Sequence, residues 1–309
     1  MPNSINITEN LSELFTIRDF LRFGASNFNA AKIYFGHGTD NAWDDAVALV
    51  LHALSLPHDI NPNILDARLT YSERENILRL FLRRINDRVP VPYLTHEAWF
   101  ASLPFYVDER VLIPRSPFAE MIEKRFSPWA DDLQVTRILD IGTGSSCMAI
   151  ACALAFPESL VDAVDLSDDA LAVAKINVEK HDVKEQVRLL KSDVFSALSD
   201  EKYDIIVSNP PYVGAEEMQT LPPEYAHEPR SALLSGEHGL DVVKKILQEA
   251  AQHLTPEGLL FVEVGNSEVA LSEQFPKVPF LWLEFERGGG GVFMLRREQL
   301  NFTGSEIIQ

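Results

Sequence analysis

The amino-acid sequence predicts an α/β fold that follows a small helical domain. In residues 1–88, apolar side chains recur at helical spacing. From Arg137 onward, short runs of β-favouring residues alternate with helical stretches. Strands and helices that alternate in this way form parallel βαβ units. We therefore expect an open, mostly parallel sheet with helices on both faces.

The helical segment contains a clear helix start. Thr70 and Glu73 form a capping box, in which each side chain can bind a free amide at the beginning of the helix. The predicted helix runs through Ile85, and Pro90 and Pro92 end it.

Aromatic and β-branched residues with short breaks follow in residues 96–116, which predicts a linking β-hairpin. We place one domain at residues 1–95, the linking hairpin at 96–116 and the α/β domain at 117–309.

The α/β segment contains five predicted strands before its last hairpin. They are expected at residues 138–141, 160–164, 187–190, 205–207 and 259–264. Helices at 168–181 and 240–253 separate some of them. Residues 280–285, the glycines 288–291 and residues 292–295 then predict a terminal hairpin, so the last strand should run antiparallel.

Composition excludes several classes of protein. The chain has 309 residues and a formal net charge of −19, which opposes the binding of duplex DNA. It contains neither a leader pattern nor a run of about 18 apolar residues, so we expect a cytoplasmic protein without a membrane partner. Cys147 and Cys152 lie in one apolar run and offer no zinc spacing, so no metal is expected.

Three carboxylates follow three consecutive predicted strands: Asp140, Asp165 and Asp193. Each alone is more often a turn or cap residue. The carboxyl ends of parallel strands meet at one edge, however, and open α/β folds bind ligands there. Gly142 and Gly144 allow a tight turn and a close approach to a ligand. The set therefore indicates a nucleoside site.

The first of these acids argues against a dinucleotide. A dinucleotide site leaves a helix N-terminus open for a pyrophosphate, which Asp140 would repel. The position of a third glycine is taken by Ser146. An acid beside glycines suits a ligand with a cationic amino group, which describes S-adenosylmethionine.

The fourth strand ends in the most specific motif of the chain, Asn209-Pro210-Pro211-Tyr212. The prolines fix φ and bias Asn209 away from the helical region. The Asn209 side-chain oxygen and the Pro210 carbonyl can each accept one hydrogen of an NH₂ group, while the Tyr212 ring can stack on a flat π-system. Such a loop can aim a poorly nucleophilic planar nitrogen at a methyl group by orientation and preorganisation.

These motifs resemble the seven-strand class I (Rossmann-like) S-adenosylmethionine-dependent methyltransferases that act on planar NH₂ nitrogens. The segment from Trp99 to Arg115 also resembles the HemK-like protein-(glutamine-N5) methyltransferases, and the likeness runs from about Arg84 to Leu295. The resemblance implies methylation of a protein glutamine side chain. Ser146 departs from the family's usual glycine, for which we expect slightly altered loop packing and retained binding.

Residues 115–120, the helical N-terminus and the glycine-rich hairpin resemble one branch of this family, which acts on ribosomal protein three of the large subunit. The branch implies a ribosomal protein as partner, free or within an assembling ribosome, and a substrate-recognition role for residues 1–95. A release-factor glutamine methyltransferase is the alternative within the family.

The resemblance also implies roles for individual residues. The implied cofactor-binding residues are Asp140, Gly142, Thr143, Gly144, Asp165, Leu166, Asp193, Val194 and Asn209. The implied catalytic residues are Asn209, Pro210 and Tyr212, and the substrate set adds Pro211, Arg115 and Glu120. Asp140 and the glycines would line the methionine end, Asp165 would hold the ribose and Asp193 would lie at the adenine.

Several of these features have a structural alternative. Arg115 and Glu120 either shape the entrance or form an interdomain salt bridge. The segment 228–233 is a lid or an ordinary packed loop, and Glu263 could be a helix cap. Five arginines share one predicted helix: Arg74, Arg79, Arg83, Arg84 and Arg88. They either dock an RNA-bearing precursor or pair with acidic neighbours.

Two further classes remain open. A DNA adenine N6-methyltransferase needs similar geometry, but it must also flip its base and hold the backbone. This acidic chain contains no second, basic domain for that task. A non-enzymatic adaptor would carry damage at Asp140, Asp165 or residues 209–212, all of which are intact.

Overall fold

The computed structural model describes residues 7–300 and divides the chain into two compact units. The helical unit comprises Met1–Ala98 and Pro222–His227. The sheet unit comprises Trp99–Leu221 and Glu228–Gln309. The sequence grouped residues 222–227 with the C-terminal domain, whereas the structure groups them with the helices.

The helical unit contains five α-helices within the described residues. They are α1 (Ile7–Glu13), α2 (Ile17–Ala30), α3 (Ala42–Ala53), α4 (Tyr71–Asn86) and α5 (Val91–Thr95), with 3-10 turns at Pro62–Asp66 and Pro223–His227. The capping box predicted at Thr70 and Glu73 is present at the start of α4. Gly24 lets α2 approach Phe81 of α4, since a Cβ at this glycine would lie 2.6 Å from that ring.

Arg84 of α4 and Arg88, which follows this helix, bind acidic partners within the helical unit. Arg84 is buried, and its Nε donates to Asp45 at 2.8 Å. Arg88 pairs at 3.4 Å with Glu224, which is also buried. Arg79 pairs with a glutamate one turn earlier in the helix. A buried guanidinium cannot reach RNA, so the interpretation of this helix as an RNA-docking face is wrong for Arg84.

The predicted linking hairpin is shorter than expected. Strands β1 (Ala98–Phe100) and β2 (Leu103–Phe105) form a two-stranded sheet, and residues 106–117 contain no strand. Asp108 turns the chain there, because its carbonyl accepts from the amide of Val111 and its carboxylate accepts from Arg110. The buried apolar residues of this stretch therefore lie outside any strand.

The sheet unit confirms the predicted mostly parallel sheet. Its strands are β3 (Arg137–Ile141), β4 (Leu160–Asp165), β5 (Val187–Lys191), β6 (Tyr203–Ser208), β7 (Leu254–Glu263), β8 (Leu281–Trp282) and β9 (Val292–Arg296). The strand order is β5-β4-β3-β6-β7-β9-β8, with β9 antiparallel to both of its neighbours. The terminal hairpin is thus confirmed.

Helices cover both faces of this sheet. They are α6 (Phe118–Glu123), α7 (Cys147–Ala155), α8 (Asp168–Lys180), α9 (Arg230–Leu233), α10 (Asp241–His253) and α11 (Glu268–Gln274), with 3-10 turns at Glu217–Gln219, Gly265–Ser267 and Arg297–Leu300. Neighbouring strand residues face opposite sides. Ile205 therefore joins the apolar cluster around α6 and α7, whereas Ile206 joins the cluster around α10. Among residues 7–300, no helix has the length and apolarity that a membrane crossing needs.

Candidate active site

Two motif turns follow neighbouring strands where the strand order reverses. The chain continues from β3 to β4 and β5 on one side, whereas β6 lies on the other side of β3. Such a switch point forms a crevice at the carboxyl ends of the strands. Ile141 of β3 pairs in register with Ser208 of β6. The turns at residues 142–146 and 209–212 therefore begin side by side.

Asp140 is fully buried at the end of β3. Its Oδ2 accepts hydrogen bonds from the Thr143 hydroxyl at 2.7 Å and from the Ala149 amide at 3.2 Å. Its Oδ1 is buried and has no hydrogen-bond partner in the described part of the chain. Burial raises the pKa of Asp140 to about 7. The site therefore contains one carboxylate oxygen, Oδ1 of Asp140, that can accept a hydrogen bond from a ligand, on a group whose pKa is raised.

The turn after Asp140 uses the left-handed backbone region three times. Gly142, Gly144 and Ser146 have φ values of +73°, +54° and +66°. Glycine tolerates this region and serine does not favour it. Ser146 therefore stands where a glycine would be relaxed.

The carboxylate of Asp165 is oriented by backbone amides. It accepts from Gly144 at 2.9 Å and from Ser167 at 2.9 Å, so it joins the turn after β3 to the end of β4. Burial raises its pKa. Leu166, the next residue, is exposed and offers an apolar surface beside this carboxylate.

The third acid lies at the surface. Asp193 is half-exposed and pairs with Lys245 at 2.8 Å. Its neighbour Val194 is buried and has a φ of +53°. Asp193 follows β5, as the sequence predicted, but a lysine already neutralises its charge.

The Asn209-Pro210-Pro211-Tyr212 turn faces the glycine turn. A Cβ at Gly142 would lie 4.0 Å from the Asn209 carbonyl oxygen. The Asn209 side chain is partly exposed and makes no hydrogen bond to residues that the structure describes. Pro210 is buried and Pro211 is partly exposed. The asparagine amide is thus available to a ligand, on a backbone that the prolines restrain.

Tyr212 is packed closely against neighbouring loops. Its ring lies close to Gly265, where a Cβ would come within 2.6 Å of the ring, and its carbonyl accepts from the Ser267 hydroxyl at 2.9 Å. Its hydroxyl donates to Oε1 of Glu263 at 3.1 Å.

Glu263 receives a second hydrogen bond, from the Ser116 hydroxyl at 2.5 Å. Burial raises its pKa, which the two hydrogen bonds and the charge of Arg115 partly oppose. The suggested helix-cap role is wrong for this side chain, because its carboxylate accepts hydrogen bonds from two hydroxyl groups.

Arg115 and Glu120 have separate partners. Arg115 binds Glu228 through two hydrogen bonds, at 2.5 and 2.8 Å. Glu120 pairs with Lys124 at 3.0 Å and also accepts from the amide of Arg287, which precedes the glycine-rich turn. All of these residues belong to the sheet unit. Glu228 is buried, so the segment 228–233 is packed at its first residue.

A cavity of about 420 Å³ lies next to the Tyr212 backbone. Its lining residues are Gly214, Glu216, Glu217, Thr220, Glu237, His238, Ser267 and Ala270. Ser267 connects this cavity to the Tyr212 carbonyl. Three glutamates give the lining an acidic character.

Comparison with known proteins identifies the family. Residues 126–228 match the methyltransferase small domain. A ribosomal protein uL3 glutamine methyltransferase from Francisella tularensis is 47% identical over 94% of this chain and 93% of its own length. The chain belongs to this family of glutamine methyltransferases. A relative of the same name from Xanthomonas campestris is 51% identical over 96% of both chains.

Family membership confirms two expectations from the sequence: the HemK-like glutamine methyltransferases and their ribosomal-protein branch. A solved structure, the hMettl16 catalytic domain in complex with MAT2A 3′UTR hairpin 6, is 20% identical, with a TM-score of 0.48 over 72% of this chain and 80% of its own.

Sequence reasoning missed the partners that orient the motif residues. The sequence analysis considered a helix-cap role for Glu263, although this residue lies at the end of the fifth parallel strand, where the rule that selected the three earlier acids also applies. Glu228 carries no such signal, because its arginine partner lies more than a hundred residues away. Within residues 7–300, no three His, Cys, Asp or Glu side chains are grouped so as to hold a metal ion.

Proposed function

We propose that the chain transfers the methyl group of S-adenosylmethionine to the side-chain amide nitrogen, N5, of a glutamine in ribosomal protein uL3. The observation that carries this proposal is the Asn209–Tyr212 turn, whose asparagine amide is available beside the glycine turn of the neighbouring strand. Relatives named for this activity are 47% and 51% identical to the chain.

The residues after β3 and β4 fit the proposed cofactor. The buried Oδ1 of Asp140 is an open acceptor, which suits a cationic amino group. Gly142 and Gly144 leave no side chain between this acceptor and a ligand. Asp165, oriented by two amides, has lone pairs left for ribose hydroxyls. When bound, S-adenosylmethionine would supply an electrophilic methyl group: its sulfur–methyl bond breaks as the nitrogen–methyl bond forms, S-adenosylhomocysteine leaves, and N5 loses one hydrogen as a proton.

We assign the outer part of the cofactor site to three further residues. Leu166 offers an exposed apolar surface next to Asp165. Asp193 and Val194 follow β5 and would lie toward the adenine. The Lys245 ion pair holds the Asp193 carboxylate in place.

The turn after β6 would hold the substrate amide. The Asn209 side-chain oxygen and the Pro210 carbonyl each accept one NH₂ hydrogen, and Pro211 keeps their spacing fixed. Two acceptors on the hydrogens favour a pyramidal nitrogen, whose lone pair is less delocalised into the amide. Tyr212 stacks on the flat amide group. These residues therefore act by orientation and charge stabilisation.

Charge supports a ribosomal protein as substrate. Ribosomal proteins are generally basic, and a chain with a net charge of −19 attracts a basic partner.

We assign recognition of that protein to the helical unit, which lies largely outside the matched methyltransferase segment. We assign Arg115 and Glu120 to the support of the substrate entrance, and we place the reaction in the cytoplasm.

Methyl transfer from tritiated S-adenosylmethionine tests the proposal. The acceptors are free uL3, ribosomal particles from cells that lack the enzyme, release factors and unmethylated duplex DNA. We expect label on uL3, mapped by mass spectrometry to a glutamine. Whichever of the two acceptors, free uL3 or the ribosomal particles, takes up more label is the form that the enzyme modifies. Label confined to a release factor or to DNA would contradict the proposed substrate, and cofactor binding without any transfer would favour an adaptor.

A further inference from the structure

We propose that Glu263 is a positioning residue for methyl transfer, because it holds the Tyr212 ring in the orientation that receives the substrate amide. This inference rests on the proposed function, in which that ring stacks on the amide. Glu263 is the last residue of β7, and its side chain is buried between Tyr212 and Ser116.

The direction of each hydrogen bond follows from the donors around Glu263. The Phe118 amide donates to the Ser116 oxygen at 3.1 Å, so the Ser116 hydroxyl hydrogen is free to point toward Oε2 of Glu263. Ser116 therefore fixes the rotation of the carboxyl group. The other oxygen, Oε1, is left facing the Tyr212 hydroxyl at 3.1 Å.

Tyr212 is restrained at three points. Glu263 binds its hydroxyl, Gly265 lies close to its ring, and Ser267 binds its carbonyl. A ring held in this way needs little further ordering when a substrate stacks on it, which favours a productive geometry. Of these contacts, the Glu263 hydrogen bond is the one that sets the direction of the phenol end.

Substitution of Glu263 by glutamine should disturb this bond selectively. Glutamine offers one oxygen and one NH₂ group. The Ser116 hydrogen requires the oxygen, so the NH₂ group would face the Tyr212 hydroxyl. That hydroxyl would have to change from donor to acceptor, and the ring would lose its present restraint. The size of the side chain and its packing against its neighbours would be nearly unchanged.

Fluorine NMR of protein labelled with 3-fluorotyrosine tests the orientation directly. The chain has seven tyrosines, and Tyr212→Phe assigns the resonance of interest. We expect Glu263→Gln to shift or broaden the Tyr212 signal. Asp162→Asn is the control: it removes a buried carboxylate that binds Tyr203 at 2.7 Å and also pairs with Arg137 and Arg188. It should perturb Tyr203 while leaving Tyr212 unchanged. An unchanged Tyr212 signal in Glu263→Gln would overturn the inference.

Kinetics test the consequence for methyl transfer. Glu263→Gln and Tyr212→Phe should each lower kcat on uL3 by about tenfold, while the Kd of S-adenosylmethionine stays within about twofold. The double variant should lose no more than the more affected single variant, since both remove one bond. Additive losses, or an equal loss of cofactor affinity, would contradict the positioning role. If wild-type protein does not methylate uL3, the proposed function fails, and the fluorine spectra still decide whether Glu263 orients Tyr212.

Discussion

The hydroxyl of Ser208 donates to the carbonyl oxygen of Ile141 at 2.8 Å, and this bond joins the ends of β3 and β6. Each strand leads directly into one of the two motif turns. The bond is fully buried, so no water replaces it if the hydroxyl is lost. This side-chain bond therefore adds to the backbone pairing of β3 and β6 at the point where the predicted cofactor turn and the predicted substrate turn begin.

Removal of this bond by Ser208→Ala should lower both stability and cofactor affinity. Loss of a buried hydrogen bond costs about 1 kcal/mol of unfolding free energy. Urea unfolding and calorimetric titration with S-adenosylmethionine measure the two effects. Ser159→Ala is the control, because Ser159 makes a similar buried bond to the Phe156 carbonyl away from both turns. It should lose comparable stability and keep cofactor affinity; equal loss of affinity in both variants would contradict the spacing role.

Asn209→Ala should reduce turnover by about 10²-fold, since it removes one preorganised hydrogen-bonding group. Its side chain makes no hydrogen bond within the described residues, so unfolding free energy should change little. Single-turnover methylation of uL3 and cofactor titration measure turnover and binding separately. Turnover at the wild-type rate would contradict the assigned role of the asparagine.

Cofactor affinity should decrease on acidification because Asp140 has a pKa raised to about 7. Below that pH the carboxyl group is protonated and no longer attracts a cationic amino group. The sign for stability is opposite: a raised folded-state pKa means that the native state binds more protons, so the contribution of Asp140 to stability falls as pH rises between about 4 and 7.

Titrations of S-adenosylmethionine between pH 5.5 and 8, on wild type and Asp140→Asn, measure this dependence. The variant should bind weakly with a flatter pH profile. Asp165 also has a raised pKa, so its own contribution to the pH dependence of cofactor affinity would remain in the variant. A profile identical in both proteins would exclude Asp140 as the titrating group.

Ser146→Val should destabilise the sheet unit. Ser146 is buried at a φ of +66°, a region that β-branched residues avoid, so the expected cost is about 2 kcal/mol. Ser146→Gly is the matched variant and should stay within about 1 kcal/mol of the wild type, since relieved strain and added chain entropy oppose each other. Urea unfolding compares the three proteins. Equal stability of the valine and glycine variants would show that the turn adapts freely.

Arg84→Leu should destabilise the helical unit by about 3 kcal/mol or more, because it leaves Asp45 buried without its charged partner. Arg79→Leu removes an exposed pair on the same helix and should cost less than about 1 kcal/mol. Urea unfolding monitored by circular dichroism compares the two variants. Similar losses of unfolding free energy in the two variants would mean that the buried Arg84 pair stabilises the protein no more than the exposed Arg79 pair.

Local patterns along the chain predicted most of the architecture. The capping box at Thr70 and Glu73, the strand-helix alternation and the terminal hairpin depend on residues that are near in sequence, so their chemistry could be read directly. The Asn209–Tyr212 turn was predictable for the same reason, since its prolines restrict their own backbone and that of the residue before them.

The partners of those residues were decided by the tertiary structure. Glu263 binds Tyr212 across 51 positions of sequence, and Arg115 binds Glu228 across 113. Arg84 resembles its exposed neighbours in sequence, yet it is buried because Asp45 on another helix lies beside it. Such pairs depend on strand order and on which helix faces pack together. Periodicity determines that an element forms, whereas only packing determines which charged and polar groups it meets.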